Sequence, residues 1–391
     1  MSEPSTQGIT GPAGFRAAGV AAGIKASGNP DLALVVNDGP SQSAAAVFTR
    51  NKVKAAPVLW SQQVLATGTL RAVVLNSGGA NACTGPEGFR TAHATAEKAA
   101  EVLGVGAIDI AICSTGLIGA QLPRETVLAG IEKVAAALDA TPEAGLAAAT
   151  AIMTTDTVPK QASATGAGWS VGGITKGAGM IAPSMATMLS VLTTDAVASP
   201  EQLDEALRAA VRVSFDRLDV DGSMSTNDTV IVLASGASGV TPSGEELAAA
   251  LTEVAKDLAR QMQADAEGVT KRATIRVTGA ASEDEAVVIA RTVARDSLVK
   301  TALFGSDPNW GRIAAAAGYA DAQLDPDRLD VTINGQLLCR GGVASGDREL
   351  ADLSGPDVLV EVALGLGSGE AEILTTDLSH AYVEENSAYS S

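Results

Sequence analysis

The chain has 391 residues, enough to bury a large core, and we expect either one large α/β unit or two lobes. Its formal net charge of −18 argues against a nucleic-acid surface or an anionic membrane as partner, because both attract clustered Lys and Arg. The N-terminus lacks the pattern of a secretion signal, and no apolar run reaches the roughly 18 residues of a membrane helix. We therefore expect a soluble, cytoplasmic protein.

Few side chains are available for metal or histidine chemistry. Cys83, Cys113 and Cys339 are widely spaced and form no CxxC pair, so they predict neither a disulfide framework nor a zinc site. The chain has two histidines, and His93 lies in an Ala-rich predicted helix, where a half-exposed structural role is expected. An enzyme with a hydroxyl nucleophile would therefore need a base other than histidine.

Apolar, β-branched runs between turn residues predict buried strands at 31–37, 70–76 and 107–113. The second strand runs into a Gly- and Asn-rich loop, 77–85, and a predicted helix follows at about 88–103. The third ends at Ser114-Thr-Gly, a small-residue turn whose backbone N–H groups can point outward and hold a developing oxyanion. An ordinary strand-to-helix turn is the commoner interpretation of these three residues.

Two helices are predicted next, at about 124–139 and 142–152. They lead to a hydroxyl-rich segment, 153–160, which ends with a proline and a lysine. A turn-rich stretch, 166–173, then approaches the segment 176–189, which contains the glycine pair Gly177 and Gly179. Glycines at such positions let the backbone pass close to another group.

The C-terminal half continues the alternation of helices and strands. Capping boxes that begin at Ser199 and Ser243 predict the starts of two amphipathic helices. Between them, the polar segment 219–228 precedes a strand that begins at Thr229. Further strands are predicted near 272–279, 329–333 and 357–364. The alternation predicts an α/β fold, and no linker or fixed-period repeat divides the chain.

Three segments begin like ligand-binding loops but lack their defining residues. The segment 177–182 lacks the third glycine of a dinucleotide loop, and Lys176 lacks the preceding glycine of a phosphate-binding loop. Glu370 stands where a second candidate dinucleotide loop needs its last glycine, and no glutamate completes a calcium loop at 219–222. We therefore predict no nucleotide cofactor and no metal, and we interpret 219–222 as a turn or part of a polar pocket.

The segment 176–189 reads Lys-Gly-Ala-Gly-Met-Ile-Ala-Pro-Ser-Met-Ala-Thr-Met-Leu. A threonine in an apolar run, such as Thr187, is ordinarily a packed core residue. Its hydroxyl is inert at neutral pH unless a base lies within hydrogen-bonding reach. Cleavage of the chain before Thr187 would supply that base, because a free α-amino group titrates at about pH 8 on the same residue. The physics of these residues alone does not select this threonine.

The segment 176–189 resembles the self-processing segment of the ornithine acetyltransferase / glutamate N-acetyltransferase family of arginine biosynthesis. Other segments that look like family landmarks follow in order along nearly the whole chain, at 47–51, 113–116, 153–160, 305–312 and 377–386. The resemblance implies a proenzyme that cuts itself between Ala186 and Thr187. The two products, 1–186 and 187–391, would then form a heterotetramer with two copies of each. It also implies a layered α/β sandwich of the kind found in certain self-processing aminopeptidases.

The resemblance further implies the reaction and the roles of single residues. An acetyl group would pass from N2-acetylornithine to glutamate by a ping-pong route, through an ester on Thr187. Thr115 and Gly116 would line the oxyanion hole. The residues expected to hold substrate are Thr154, Lys176, Thr187, Glu267, Asn386 and Ser391. Lys176 suits an α-carboxylate, and Glu267 suits the side-chain ammonium of ornithine.

The chain departs from the family pattern at three places. Gly79 stands where Asn is expected, Ser223-Met224 replaces a more usual Asp-Thr, and Ser391 ends the chain where Thr is commoner. None of these positions is the nucleophile, so they bear on substrate detail rather than on the class of reaction.

Other functions stay open at this point. A self-processing aminopeptidase or amidase of the same architecture would use the same threonine and give its acyl group to water. A catalytically silent metabolite-binding protein would keep the fold and stay uncut. No recognisable CoA motif is present, so the sequence leaves open whether acetyl-CoA serves as an additional donor.

Overall fold

A computed structural model describes residues 7–182 and 188–388 and divides the chain into two units. The first unit contains the chain up to Asp216 together with Ser223–Met262. The second contains Arg217–Gly222 and the chain from Gln263 onward. The short segment Arg217–Gly222 therefore belongs to the second unit, although the residues on both sides of it in the sequence belong to the first.

The strands of the first unit form two sheets. Their bounds are β1 Phe15–Val20, β2 Leu32–Asn37, β3 Ser43–Phe48, β4 Ala72–Asn76, β5 Ile110–Ser114, β6 Lys160–Thr165, β7 Ser170–Lys176, β8 Leu189–Thr194 and β9 Thr229–Ala234. One sheet has the order β1-β2-β4-β5, in which β4 and β5 are parallel. The other has the order β3-β9-β8-β7-β6, in which β8 and β9 are parallel. The remaining strand pairs of both sheets are antiparallel.

Helices cover these sheets, and the two sheets share one core. The helices are α1 Ala56–Val64, α2 Gly85–Leu103, α3 Arg124–Ala136, α4 Pro142–Ala151, α5 Pro200–Arg212 and α6 Gly244–Ala264. The first three pack on the four-stranded sheet, and α5 packs on the five-stranded sheet. Leu34 and Val74 of one sheet lie in the same apolar cluster as Val191 and Ile231 of the other. The first unit is thus a layered α/β sandwich.

The second unit has its own sheet and core. Its strands are β10 Arg272–Ala280, β11 Asp330–Ile333, β12 Gln336–Arg340, β13 Val343–Ala344, β14 Asp357–Ala363 and β15 Gly369–Thr376, in the order β13-β12-β11-β14-β10-β15. Its helices are α7 Glu283–Arg295, α8 Ser297–Phe304, α9 Trp310–Gly318 and α10 His380–Ala388. Alternate residues of β10 and β14 are buried, and they form the core with α7, α8 and α9.

The predicted α/β class is confirmed. The strands predicted at 31–37, 70–76 and 272–279 correspond to β2, β4 and β10, and both capping boxes form. The predicted strand at 107–113 begins with a 3-10 turn, so β5 starts only at Ile110. The turn-rich interpretation of 166–173 is wrong beyond residue 169, because β6 and β7 form an antiparallel hairpin. Within the described part of the chain, no helix is long and apolar enough to cross a membrane.

Candidate active site

A buried carboxylate, Asp156, joins the hydroxyl-rich segment 153–160 to the segment 176–189. Its Oδ1 accepts hydrogen bonds from Lys160 Nζ at 2.6 Å and from the Gly177 N–H at 2.7 Å. Its Oδ2 accepts from the Thr154 N–H at 3.0 Å. The side chains of Asp156 and Lys160 are both 0% exposed. One carboxylate therefore fixes Thr154 and the backbone that directly follows Lys176.

The charges around Asp156 determine its ionisation. Burial alone would raise the pKa of Asp156, but the ammonium groups of Lys176 and Lys160 outweigh burial and hold its pKa at about 2. A third ammonium group, that of Lys25, lies close enough to Lys176 for the two to repel each other. Burial lowers the pKa of Lys25, Asp31 opposes that shift, and repulsion from Lys176 adds to it. Lys176 and Lys160 thus keep Asp156 ionised in the interior.

Lys176 is the last residue of β7, Thr115 directly follows β5 of the other sheet, and their side chains meet. Lys176 Nζ donates to Thr115 Oγ1 at 3.4 Å, and the two residues are 2% and 1% exposed. Because the ammonium is the donor, the Thr115 hydroxyl keeps its own proton for a further acceptor. A nearby cation makes that hydroxyl a better donor. The pair can therefore stabilise a developing negative charge.

Gly116 continues the turn after Thr115 with a φ of +130°. A Cβ at this position would lie 2.8 Å from the Gly79 nitrogen and 2.9 Å from the Gly79 Cα, so only glycine fits. The small-residue pattern predicts outward-pointing N–H groups at this turn, but the Thr115 N–H donates to Asn76 O at 2.9 Å. The donors that remain are the Thr115 hydroxyl and the Gly116 N–H, which has no acceptor among residues 7–182 and 188–388.

Gly79, one of the departures from the family pattern, supports this turn with its backbone. Its N–H donates to Thr115 O at 3.0 Å. A Cβ at Gly79 would lie 3.0 Å from Leu122 Cδ2, so a larger residue would require Leu122 to move. Gly79 therefore fits beside Leu122 while its backbone holds the turn at Thr115.

A polar loop before β9 connects the two sheets. Asn227 Nδ2 donates to Ala80 O at 2.6 Å and to Ser114 O at 2.8 Å. Asn227 is 4% exposed, so these two bonds are made in the interior. The loop therefore fixes the end of β5 immediately before Thr115.

Asp228, the next residue, lies beside the start of β8. The parallel register that pairs Leu189 with Thr229 places Met188 next to Asp228. Asp228 is 0% exposed, and its Oδ1 accepts a hydrogen bond from the Met188 N–H at 3.2 Å. This carboxyl group thus holds the residue that follows Thr187 in the sequence.

Two of the predicted substrate-binding residues lie in the second unit and contact each other. Asn386, in α10, donates from Nδ2 to Glu267 Oε2 at 2.8 Å. The predicted turn at 219–222 is also confirmed in this unit, where the Gly222 N–H donates to Asp219 Oδ1 at 3.0 Å. Ala186, Thr187 and Ser391 lie outside the described residues.

The family model of ArgJ matches residues 16–391. The chain belongs to the ArgJ family. The arginine biosynthesis bifunctional protein ArgJ of Mycolicibacterium paratuberculosis is 63% identical over 391 residues, and the alignment covers 98% of this chain and 97% of that protein. This membership agrees with the family to which the segment 176–189 pointed.

Two solved structures are also similar. Ornithine acetyltransferase complexed with ornithine, from Mycobacterium tuberculosis, is 58% identical, covers 46% of this chain and 95% of its own, and gives a TM-score of 0.43. The L-aminopeptidase D-Ala-esterase/amidase of Ochrobactrum anthropi is 12% identical, covers 68% of this chain and 87% of its own, and gives a TM-score of 0.40.

Sequence reasoning missed Asp156, Asn227 and Asp228. Asp156 lies in 153–160, and the only available signal was a carboxylate four residues before a lysine, the spacing of the observed ion pair. Asn227 and Asp228 directly precede a buried strand, where polar side chains often gather at a sheet edge. Nothing in the sequence shows which other strand end lies beside them.

Gly116→Ala should destabilise the protein more than Gly119→Ala. The Gly79 backbone lies within 3 Å of the point that an alanine methyl group would occupy at Gly116, whereas Gly119, with a φ of +92°, has no described atom within 4 Å of that point. Both changes strain a positive φ, so the difference isolates the close contact, for which we expect about 1–3 kcal/mol. Chemical denaturation of both variants measures this difference. Equal losses of unfolding free energy in the two variants would show that the contact between the introduced methyl group and the Gly79 backbone relaxes easily.

Proposed function

We propose that the chain is an acetyltransferase of arginine biosynthesis that moves an acetyl group from N2-acetylornithine to glutamate through an ester on Thr187. The observation that carries the proposal is the ArgJ match over residues 16–391, with 63% identity to a protein named for arginine biosynthesis. The ornithine bound to the M. tuberculosis relative supports the substrate class. The buried Thr115–Lys176 pair supplies suitable chemistry for acyl transfer.

The first step of the proposal is self-cleavage. The Thr187 hydroxyl attacks the Ala186 carbonyl carbon, and the peptide C–N bond breaks to leave an ester and a free α-amine. Water then hydrolyses the ester, which gives the chains 1–186 and 187–391. These chains stay together and assemble as a heterotetramer with two copies of each.

In the first half of the cycle, N2-acetylornithine binds with its α-carboxylate at Lys176 and its side-chain ammonium at Glu267. Thr187 Oγ attacks the acetyl carbonyl carbon while the Thr187 α-amine takes the hydroxyl proton. The Thr115 hydroxyl and the Gly116 N–H donate to the oxyanion. The C–N bond then breaks, the proton passes to the departing amine, and ornithine leaves an acetyl ester behind.

In the second half, glutamate enters and uses the same Lys176 contact for its α-carboxylate. Its amine attacks the ester, the α-amine of Thr187 relays the proton back to the hydroxyl, and N-acetylglutamate leaves. Thr154, Asn386 and Ser391 complete the proposed substrate contacts. The mechanism needs no metal or bound cofactor, and acetyl-CoA as an alternative donor would form the same ester.

Wild-type protein should yield the chains 1–186 and 187–391 in intact mass measurement, whereas Thr187→Ala should remain one chain because no hydroxyl can attack. N2-acetylornithine without glutamate should add one acetyl group to the chain that begins at Thr187. Thr187→Ser keeps a hydroxyl and should still be cut. A processed Thr187→Ala protein would end the proposal, and an ester lost equally fast without glutamate would identify an amidase.

Thr115→Val removes the hydroxyl at nearly constant volume and should lower kcat by roughly 10²–10³-fold, because an oxyanion donor acts where charge develops. The KM for N2-acetylornithine should change little. Thr115→Ser retains the donor and should keep most of the activity. Steady-state kinetics of the three proteins separates the two parameters, and a loss confined to KM would remove Thr115 from this role.

Glu267→Gln should raise the KM for N2-acetylornithine about tenfold and affect glutamate much less, since only the former carries a side-chain ammonium. Glu384→Gln, at an exposed position of α10, is the matched control and should leave both values unchanged. Each KM is measured with the other substrate saturating. Equal effects on the two substrates would show that Glu267 does not contact the ornithine side chain.

A further inference from the structure

The direction of the Gly116 N–H follows from one backbone contact. The Gly79 N–H donates to Thr115 O at 3.0 Å, and that oxygen belongs to the same peptide plane as the Gly116 N–H. The described peptide bonds are all trans, so the two groups point to opposite sides of the chain. The Gly116 N–H therefore points away from Gly79, and the placement of Gly79 sets its direction.

A single side chain, that of Asn227, holds both segments of this arrangement. Its Nδ2 donates to Ala80 O at 2.6 Å, and Ala80 directly follows Gly79. The same Nδ2 donates to Ser114 O at 2.8 Å, in the peptide plane that ends at the Thr115 nitrogen. An amide NH₂ group carries two hydrogens in one rigid plane, so it can serve two carbonyls at once. Asn227 thus sets the spacing on which the turn depends.

The amide of Asn227 is held in one orientation. Carbonyl oxygens only accept, so the atom that faces the two carbonyls must be Nδ2. On the other side of the amide, Oδ1 accepts from the Thr226 hydroxyl at 2.6 Å. The main-chain N–H of Asn227 donates to Ser225 Oγ at 3.1 Å, and its carbonyl accepts from Thr229 Oγ1 at 3.0 Å. All polar groups of this buried residue therefore have protein partners, which makes the contact with the turn rigid.

We propose that Asn227 is a positioning residue for the oxyanion hole, an inference that rests on the proposed function. The Thr115 hydroxyl and the Gly116 N–H stabilise an oxyanion best when both donors are in place before charge develops. Asn227 fixes the peptide plane before Thr115 directly, and it fixes the next plane through Ala80 and the Gly79 N–H. It acts through the turn rather than on substrate, so its contribution is to the rate of acyl transfer.

The test is the kcat of Asn227→Asp. Aspartate has nearly the same size but presents an oxygen to the carbonyls of Ala80 and Ser114, so the two segments should move apart. We expect kcat to fall roughly 10–10²-fold, because a displacement of about 1 Å costs that much in a catalytic geometry. The KM for N2-acetylornithine should change little. Intact mass after treatment with N2-acetylornithine alone counts the sites that become acetylated, and kcat is expressed per such site.

Asn37→Asp is the matched control. Asn37 is 0% exposed, and its Nδ2 also donates to two main-chain carbonyls, Ser41 O at 3.0 Å and Ala234 O at 3.2 Å. Ala234 ends β9, whereas Asn227 precedes the start of that strand, so the two amides lie at its opposite ends. Asn37→Asp should lower the melting temperature but leave kcat per acetylated site unchanged. An equal fall of kcat in both variants, or no fall in Asn227→Asp, would overturn the proposal.

A double variant tests whether Asn227 acts through Thr115. Correct placement of the Thr115 hydroxyl is of no use once that hydroxyl is absent. The fall in kcat caused by Asn227→Asp should therefore be at least about threefold smaller in a Thr115→Val background than in the wild type. Equally large falls in the two backgrounds would show that Asn227 acts elsewhere and would refute the proposal.

Thr226→Val is the substitute if Asn227→Asp stays uncut or does not fold. The Thr226 hydroxyl donates to Asn227 Oδ1, so its removal loosens the amide but leaves both carbonyl contacts possible. We expect kcat to fall about two- to fivefold at constant KM, and an unchanged kcat would refute the proposal. Failure of the proposed function is a separate outcome, because it would appear in the wild type as a missing acetyl adduct whatever Asn227 does.

Discussion

The candidate active site depends on the buried charge of Asp156. Its removal would leave the ammonium groups of Lys160 and Lys176 in the interior without this counter-charge, and an uncompensated buried ion costs several kcal/mol. The same two oxygens hold the backbone N–H groups of Thr154 and Gly177. Neutralisation of charge and placement of the Thr154 and Gly177 backbone are therefore one arrangement, and neither can be altered alone.

Local signals in the sequence predicted local structure well. The apolar run of β4 and the reciprocal cap at Ser199 appear where their patterns indicate, because each depends on residues a few positions apart. The strand β7 was missed because it contains Gly172 and Gly173, which are poor strand formers. A Cβ at Gly172 would lie 2.2 Å from Gly8 O, and one at Gly173 would lie 2.6 Å from Leu192 Cδ2. Tertiary packing, which the sequence does not display, requires those glycines.

The sequence predicted the candidate site only in part, because the site also depends on tertiary packing. Family resemblance pointed to Thr115 and Lys176 separately, but their contact joins residues 61 positions apart on different sheets. Asp228 carries no motif of its own, and its contact with Met188 comes from the register that sets Thr229 beside Leu189. Sequence patterns indicate which residue types are present, whereas strand register decides which of them meet.

The position of the proposed cut within the five-stranded sheet has a consequence for how the enzyme would lose its activity. The cut falls in the connection between β7 and β8, which are adjacent antiparallel strands, and β3 also pairs with β9. After cleavage, both pairings would join different polypeptides, and Ile174 would share its core with Val191 of the other chain. Neither product would contain the complete core of the first unit. Heat denaturation would then be irreversible, because renaturation would require two partial chains to find each other, and shelf life would follow the unfolding rate rather than the equilibrium stability.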